Sequence, residues 1–225
     1  KISKMKIILL GNKGLVGSAV YRDLSLNHEV IGLDLDTLDL NDLKNVTTFF
    51  SENKADVLIN LFGKNHHISK NKNTGNNVFN IEESEITDYF HVNVILLFRV
   101  CRLFCKFNST GKIYNFSSLY GHHVPNPNYY NGSDHKSLGY VLSKASVVML
   151  NKYLAVHYPS FNFIDVVLGG VENNQPDSFK EPYLKDLVIK RLLKSSEVSK
   201  LIEGLLNTNY VTGSSIFLDG GKHLF

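Results

Sequence analysis

The run Lys6-Ile-Ile-Leu-Leu10 leads without a break into Gly11-Asn12-Lys13-Gly14-Leu15-Val16-Gly17. A short apolar run of this kind suits a parallel strand buried on both faces, where no alternation with polar residues is needed. Ser18 to Leu26 then reads as a helix. Strand, glycine-spaced turn and helix, in that order, commit the chain to a crossover architecture with parallel strands. Glycines let such a turn close tightly and approach a phosphate, while the helix N-terminus offers free N–H groups and the positive end of its dipole. Gly11, Lys13, Gly14, Leu15, Val16 and Gly17 are therefore the residues of a candidate pyrophosphate site.

Further strand signals follow at Glu29–Leu33, Asp56–Asn60, Gly111–Phe116, Asn162–Leu168 and Ser215–Leu218, with helical stretches between them. This alternation predicts an α/β fold: a Rossmann-type, doubly wound parallel sheet of about seven strands with helices on both faces, in a single domain. No repeat or low-complexity linker divides the 225 residues. The stretch 171–206 is long enough for a substrate lid, though not for a separate substrate domain.

Asp34 closes the second strand. A carboxylate there can accept hydrogen bonds from the adenosine ribose and would repel a 2′-phosphate, which favours NAD over NADP. Asp36 competes for that role two residues on, and Lys13 would soften the preference. Asp39 or Asn41 is expected to cap the following helix; the alternative is that Asp39 and Leu40 contact the adenine edge. The polar segment 64–80 reads as a loop, with His66 and His67 exposed in it. Asn93 lies inside an apolar helical stretch, and a buried polar residue needs a partner.

Tyr140 and Lys144 are four residues apart, on one helical face. A fixed ammonium beside a phenol favours the phenolate, which makes the tyrosine usable as an acid or base near neutral pH. The totals exclude other classes. A formal charge of +3 without a dense basic run gives no case for nucleic acid. The longest apolar run, Val92–Phe107, is broken by Arg99 and Arg102 and is no membrane span. Lys1 to Lys6 does not resemble a cleavable signal, so a cytoplasmic setting is expected. Cys101 and Cys105, in an apolar stretch without nearby ligands, read as buried helix cysteines, and no metal site is expected.

Taken in order, Gly11/Gly14/Gly17, Asp34, Asp56–Asn60 with Gly63, Asn93, Asn115-Phe-Ser-Ser118, Tyr140 with Lys144, Gly169-Gly170 and Val211-Thr-Gly with Leu218-Asp-Gly-Gly221 resemble the short-chain dehydrogenase/reductase family over nearly the whole chain. The resemblance implies that Tyr140 moves the hydroxyl proton and that Lys144 lowers its pKa and holds the nicotinamide ribose. It implies that Ser118 bonds the reacting oxygen, and that Asn93 bends its helix and seats a relay water. Asn60, Gly63, Gly169 and Val171 would line the cofactor. Two departures stand out: the family's turn after the third strand is Asn60-Leu61-Phe62-Gly63 here, and its Pro-Gly step is Leu168-Gly169.

The interval between Ser118 and Tyr140 is longer than the family's usual one. It holds Tyr120, His122, His123, Tyr129, Tyr130, Asp134 and His135, groups suited to a polyhydroxylated ligand. Gly169 to Pro176 resembles the same stretch of flagellin-modification oxidoreductases of surface-sugar pathways. Ser118, Tyr120, His122, Asn173, Asn174 and Gln175 are thus the substrate candidates. The expected function is an NAD(P)-dependent oxidoreductase acting on a sugar or sugar nucleotide, with pairing into a homodimer or homotetramer implied by the family. The alternatives are a non-catalytic dinucleotide-binding protein and a sugar-nucleotide epimerase/dehydratase, against which the length argues.

Overall fold

A computed structural model of the chain describes residues 3–65, 81–130 and 135–225. His66, His67 and Asp134 lie outside the described residues. The elements are β1 (Lys6–Leu10), α1 (Leu15–Leu24), β2 (Glu29–Leu33), α2 (Leu43–Glu52), β3 (Val57–Asn60) and α3 (Glu83–Phe90). A π-helical turn, His91–Leu96, joins α3 to α4 (Leu97–Phe107). Then come β4 (Gly111–Phe116), α5 (Leu138–His157), β5 (Phe161–Leu168), α6 (Asp177–Lys185), α7 (Ser195–Leu206) and β6 (Ser214–Leu218).

The strands form one parallel sheet in the order β2-β1-β3-β4-β5-β6. This is six strands among the described residues, in keeping with the expectation of about seven. Each apolar run supplies one strand, and the stretches between add only an isolated bridge from Val171 to Leu193. The chain leaves β1 for β2 on one side and returns to β3 on the other. The connections therefore diverge at the carboxyl ends of β1 and β3, where Leu10 pairs with Asn60, and open a crevice there.

Side chains alternate across the sheet, so β1 to β5 each feed two cores, while β6 feeds one. On one face Ile8, Leu58, Ile113 and Phe163 pack against Phe50 of α2, Val100 and Phe104 of α4, and Leu154 of α5. On the other, Ile7, Leu9, Ile59 and Val166 pack against Val20 and Leu24 of α1 and Val198, Ile202 and Leu206 of α7. Each fully buried side chain of this size contributes about 1.5–3 kcal/mol. Burial of both faces explains why the central strands read as nearly unbroken apolar runs.

Two end-contacts fix the helices. Asp42, rather than the expected Asp39 or Asn41, caps α2 by accepting from the Asn45 N–H at 3.0 Å. Asp39 instead accepts from the Asn41 backbone and side-chain N–H groups, both at 2.9 Å, which shapes the preceding turn. Lys112 of β4 reaches the carboxyl end of α7, donating to the carbonyls of Leu205 (3.4 Å), Leu206 and Thr208 (3.0 Å). A cation suits the negative end of a helix. Cys101 and Cys105 are buried without a disulfide, and burial pushes both thiols up, Cys105 to about 12. Among the described residues no helix is long and apolar enough to cross a membrane, and none of the His, Cys, Asp and Glu side chains group as a metal site.

Candidate active site

The glycine turn after β1 has no room for side chains at two of its positions. Gly11 adopts φ +87°, and a Cβ there would meet the Phe62 backbone nitrogen at 2.6 Å. A Cβ on Gly17 would lie 1.9 Å from the Gly11 carbonyl oxygen. Gly14 starts α1 without a side-chain cap and with no acidic residue in the first turn. The amino end of α1 is thus left electropositive towards the crevice.

Asp34 is held at the end of β2, accepting from the Lys13 N–H (3.0 Å) and the Leu35 N–H (2.8 Å). The Lys13 ammonium pairs instead with Asp36, whose carboxyl it holds below its usual range. That pairing occupies Asp36 and leaves Asp34 and Asp39 as the carboxylates of the cavity. This cavity, of about 580 Å3, is lined by Gly11, Lys13, Gly14, Asp34, Asp39 and Leu40, with Leu35, Leu38, Val92 and Leu96 as apolar walls. The mix of apolar walls with the Asp34 carboxylate at the end of β2 and Asp39 beside it fits an adenosine.

A second cavity of about 390 Å3 shares Gly14 and Leu61–Lys64 with the first, so the two form one cleft. It is lined by Leu15, Val16, Gly17, Gly63, Ser118, Tyr120, Tyr140, Lys144, Gly169, Val171, Asn173 and Gln175. Ser118 follows β4; its hydroxyl bonds the Tyr140 phenol and accepts from the Tyr120 N–H at 3.2 Å. Ser137 caps α5 by accepting from the Tyr140 N–H at 3.3 Å, which fixes where the helix presents Tyr140 and, one turn on, Lys144. Lys144 donates to the Phe116 carbonyl at 2.6 Å, and its ammonium stands 5.9 Å from the centre of the Tyr140 ring.

Asn93 sits in the π-helical turn. Its oxygen accepts from the Lys64 N–H (2.7 Å), while its amide donates to the Lys64 carbonyl (3.1 Å) and to Ser143 Oγ (3.0 Å). The extra residue of a π turn re-aims this side chain, tying the loop after β3 to α5. Gly63 lies against it: a Cβ there would be 3.2 Å from Asn93 Oδ1.

The electrostatics differ from the expectation. Burial holds the Tyr140 phenol up, to about 12, against the opposing Ser118 hydrogen bond. Burial also pushes the Lys144 ammonium down to about 8, opposed by the charge of Asp165. Lys144 does not lower the tyrosine in this arrangement, because desolvation of a buried phenolate outweighs an ammonium turned towards a backbone carbonyl.

Other expected residues stand elsewhere. His122 packs its ring on Phe217 at 4.8 Å and lies 3.9 Å from buried Asp165, behind the cavity rather than in its lining. Asn60 donates to Asn115 Oδ1 at 2.8 Å inside the sheet, where a buried amide finds its partner, and does not line the cleft. Asn174, at φ 51°, supplies the left-handed step of the turn after Val171 and is also absent from the lining. Gln175 lines the cavity, but its amide is engaged with the Val171 carbonyl (2.6 Å) and the Asn173 N–H (2.9 Å). Of the stretch 171–206, α7 belongs to the core; it is α6 that faces the cavity, with Phe179 and Tyr183, and Tyr183 accepts from the Gly170 N–H at 2.7 Å. Sequence reasoning missed Lys136, Phe179 and Tyr183. The one signal was proximity of Lys136 to Tyr140 in the chain.

Comparisons with known proteins bear on this cleft. The family model "NAD dependent epimerase/dehydratase family" matches residues 7–204, the branch the length argument had set second. Curated protein sequences give no match. A short-chain dehydrogenase from Leptospira borgpetersenii serovar Hardjo-bovis, solved with bound NAD+, is 21% identical, with a TM-score of 0.83 over 99% of this chain and 94% of that one. A small-chain dehydrogenase in complex with NADPH is 18% identical, at TM-score 0.81, over 99% and 100%. The aldohexose dehydrogenase of Thermoplasma acidophilum, ligand-free, is 17% identical, at TM-score 0.78, over 99% and 95%. These likenesses establish a common fold, and the family match spans most of the elements that build the cleft. The chain belongs to the NAD-dependent epimerase/dehydratase family.

Proposed function

We propose that the protein is a nicotinamide-dinucleotide-dependent oxidoreductase acting on a hydroxyl or ketone carbon of a sugar or sugar nucleotide. The observation that carries this reading is the single cleft joining the glycine cradle and Asp34 to Ser118, Tyr140 and Lys144. When bound, the dinucleotide supplies or accepts the hydride. The chain's own residues then have only a proton to move and charge to stabilise. Tyr140 passes the proton at its phenolic oxygen, Ser118 orients the reacting oxygen, and Lys144 places a cation beside both. Asn93 keeps the loop after β3 and the α5 helix in register. Support for a sugar comes from the polar and aromatic lining (Tyr120, Asn173, Tyr183), from the resemblance of Gly169–Pro176 to surface-sugar enzymes, and from the aldohexose relative by its name.

Titration with NADH and NADPH, followed by nucleotide fluorescence, tests the cofactor half. NADH is expected to bind about tenfold more tightly or better, since a 2′-phosphate would meet the Asp34 carboxylate. Asp34→Ala is expected to bring the two affinities within about threefold, by removing that repulsion. An unaltered ratio would assign the preference elsewhere, and binding of neither nucleotide would sink the oxidoreductase reading.

The family match favours a second reading, an epimerase or dehydratase of a sugar nucleotide. Such an enzyme returns the hydride to its own product, so substrate turnover would proceed without net NADH. A net absorbance gain at the NADH band would decide for the dehydrogenase.

We also propose that the chain pairs with a second copy through α5. Leu142, Met149, Tyr153 and Val156 are exposed apolar residues on one face of that helix, and Ile95 and Phe98 are likewise exposed, on the π turn and α4. Sedimentation is expected to show a dimer or tetramer that Met149→Glu with Val156→Glu converts to a monomer; a monomeric wild type removes the idea.

A further inference from the structure

The two sides of the adenosine cavity come from stretches far apart in the chain. One is the turn Asp39-Leu40-Asn41; the other is the π turn, whose Val92 and Leu96 form a wall. Arg99, in the first turn of α4, reaches across to the first of them, its Nη1 donating to the carbonyls of Leu40 at 2.7 Å and Asn41 at 3.1 Å. His91 Nε2, at the start of the π turn, stands 2.7 Å from Asn41 Oδ1. The Asn41 amide nitrogen already donates to Asp39 Oδ1 at 2.9 Å, so the amide oxygen is left to accept and the proton sits on His91 Nε2.

Neither Arg99 nor His91 is among the described residues that line the cleft. What they hold is its rim. Asp39 and Asn41 are exposed, and of the three turn residues Leu40 alone is buried, in the core of that sheet face. A turn with so little apolar burial belongs to the easily opened part of a fold unless polar bonds fix it. A guanidinium on carbonyls is a charge-assisted donor, roughly twice as strong as a neutral one. The same π turn carries Asn93, which ties Lys64 and Ser143 at the catalytic end. One short segment thus grips both ends of the cleft, and nothing derived above uses its hold on the adenosine end.

We infer that Arg99, assisted by His91, is a positioning residue for the dinucleotide: without touching it, Arg99 holds the Asp39–Asn41 rim against the π turn at the spacing an adenosine needs. This rests on the oxidoreductase reading for the identity of the occupant. The rim is then formed before the ligand arrives, and the ligand does not spend affinity on ordering it.

The test measures NADH by nucleotide fluorescence and ADP-ribose, which keeps the adenosine end and lacks the nicotinamide, by calorimetry. The proteins are the wild type, Arg99→Met and Arg99→Lys. With the rim in place only about a tenth of the time, Arg99→Met is expected to weaken both ligands by the same factor, about tenfold. Arg99→Lys keeps an ammonium that can reach a carbonyl and should stay within about threefold of the wild type. A role in the fold alone would lower the urea midpoint and leave both affinities as they are, which overturns the inference. So does a loss confined to NADH, which would place the effect at the nicotinamide end, or a loss that Arg99→Lys does not lessen. If Arg99→Met shows no cooperative urea transition, His91→Ala, at an exposed residue gripping the same turn, carries the comparison. A loss of about threefold for both ligands is then expected, and unchanged affinities overturn the inference. Binding of ADP-ribose without NADH would sink the oxidoreductase reading and leave the role of Arg99 to be decided by ADP-ribose. Binding of neither to the wild type ends both.

Discussion

Tyr140→Phe is expected to lower turnover by roughly 10²- to 10⁴-fold, the usual worth of a positioned acid–base group. NADH affinity should stay within about twofold, because only the hydroxyl is removed and no charge changes. The ring keeps its edge contact with Tyr89 and its place under Lys136, so the fold has no reason to move. Only the hydrogen bond with Ser118 is lost. The expected pH behaviour follows from the tyrosine held near 12. Ketone reduction needs the protonated phenol, which is present throughout the range below that value, so Tyr140 imposes no loss of rate from pH 6 to 9, roughly. Alcohol oxidation needs the phenolate, whose fraction grows about tenfold per pH unit below the pKa, so oxidation should accelerate with pH. Rates measured in both directions against pH check the sign. Unchanged turnover in Tyr140→Phe would remove the residue from its role, and oxidation that slows with rising pH would remove the phenolate.

The fold was legible because its central strands, β1, β3, β4 and β5, are buried on both faces and its edge strands are still partly covered. Lys6–Leu10, Glu29–Leu33 and Gly111–Phe116 stand as strands at the bounds their apolar runs marked. The glycine turn was legible for a related reason: a Cβ has no room at Gly11 or Gly17 whatever surrounds the chain. Asn93 was noticeable as a polar residue in an apolar helix, although its π-helical turn depends on Lys64 and Ser143, which no local pattern reveals. Tertiary partners likewise decide what the sequence could not show. His122 has the chemistry of a substrate contact, yet Phe217 and Asp165, from the adjoining strands, draw it behind the cavity. Asn60 lies within the sheet beside Asn115, and the helix α7, read as part of a lid, carries an apolar face that the sheet buries. Lys136 drew no notice in the sequence, because only the folded loop after β3 brings Asn65 to it.

Gly17→Ala and Gly14→Ala are expected to fail in different ways, which separates the architecture of the cradle from its ligand. The Cβ of Gly17→Ala would stand 1.9 Å from the Gly11 carbonyl oxygen, 2.9 Å from its carbon and 3.2 Å from the Asn12 Cα. All are backbone atoms, so no rotamer change relieves the overlap; either β1 and α1 move apart or the turn opens. Gly17, Ala19, Val20 and Leu24 form the buried side of α1, and separation would expose that core. A loss of about 3 kcal/mol or more is expected, at the upper end of overpacking costs, with NADH binding lost alongside. At Gly14 a Cβ would be 3.5 Å from the Gly11 oxygen, an ordinary contact, so Gly14→Ala should keep the wild-type urea midpoint. Because Gly14 lines both halves of the cleft, its added methyl should still weaken NADH binding about tenfold or more, as a blocked phosphate approach would. Urea unfolding and NADH titration of the two variants together check this. If Gly17→Ala matches the wild type in both measurements, the close turn is not a requirement of the fold. If Gly14→Ala binds NADH normally, the phosphates do not approach the turn at that residue.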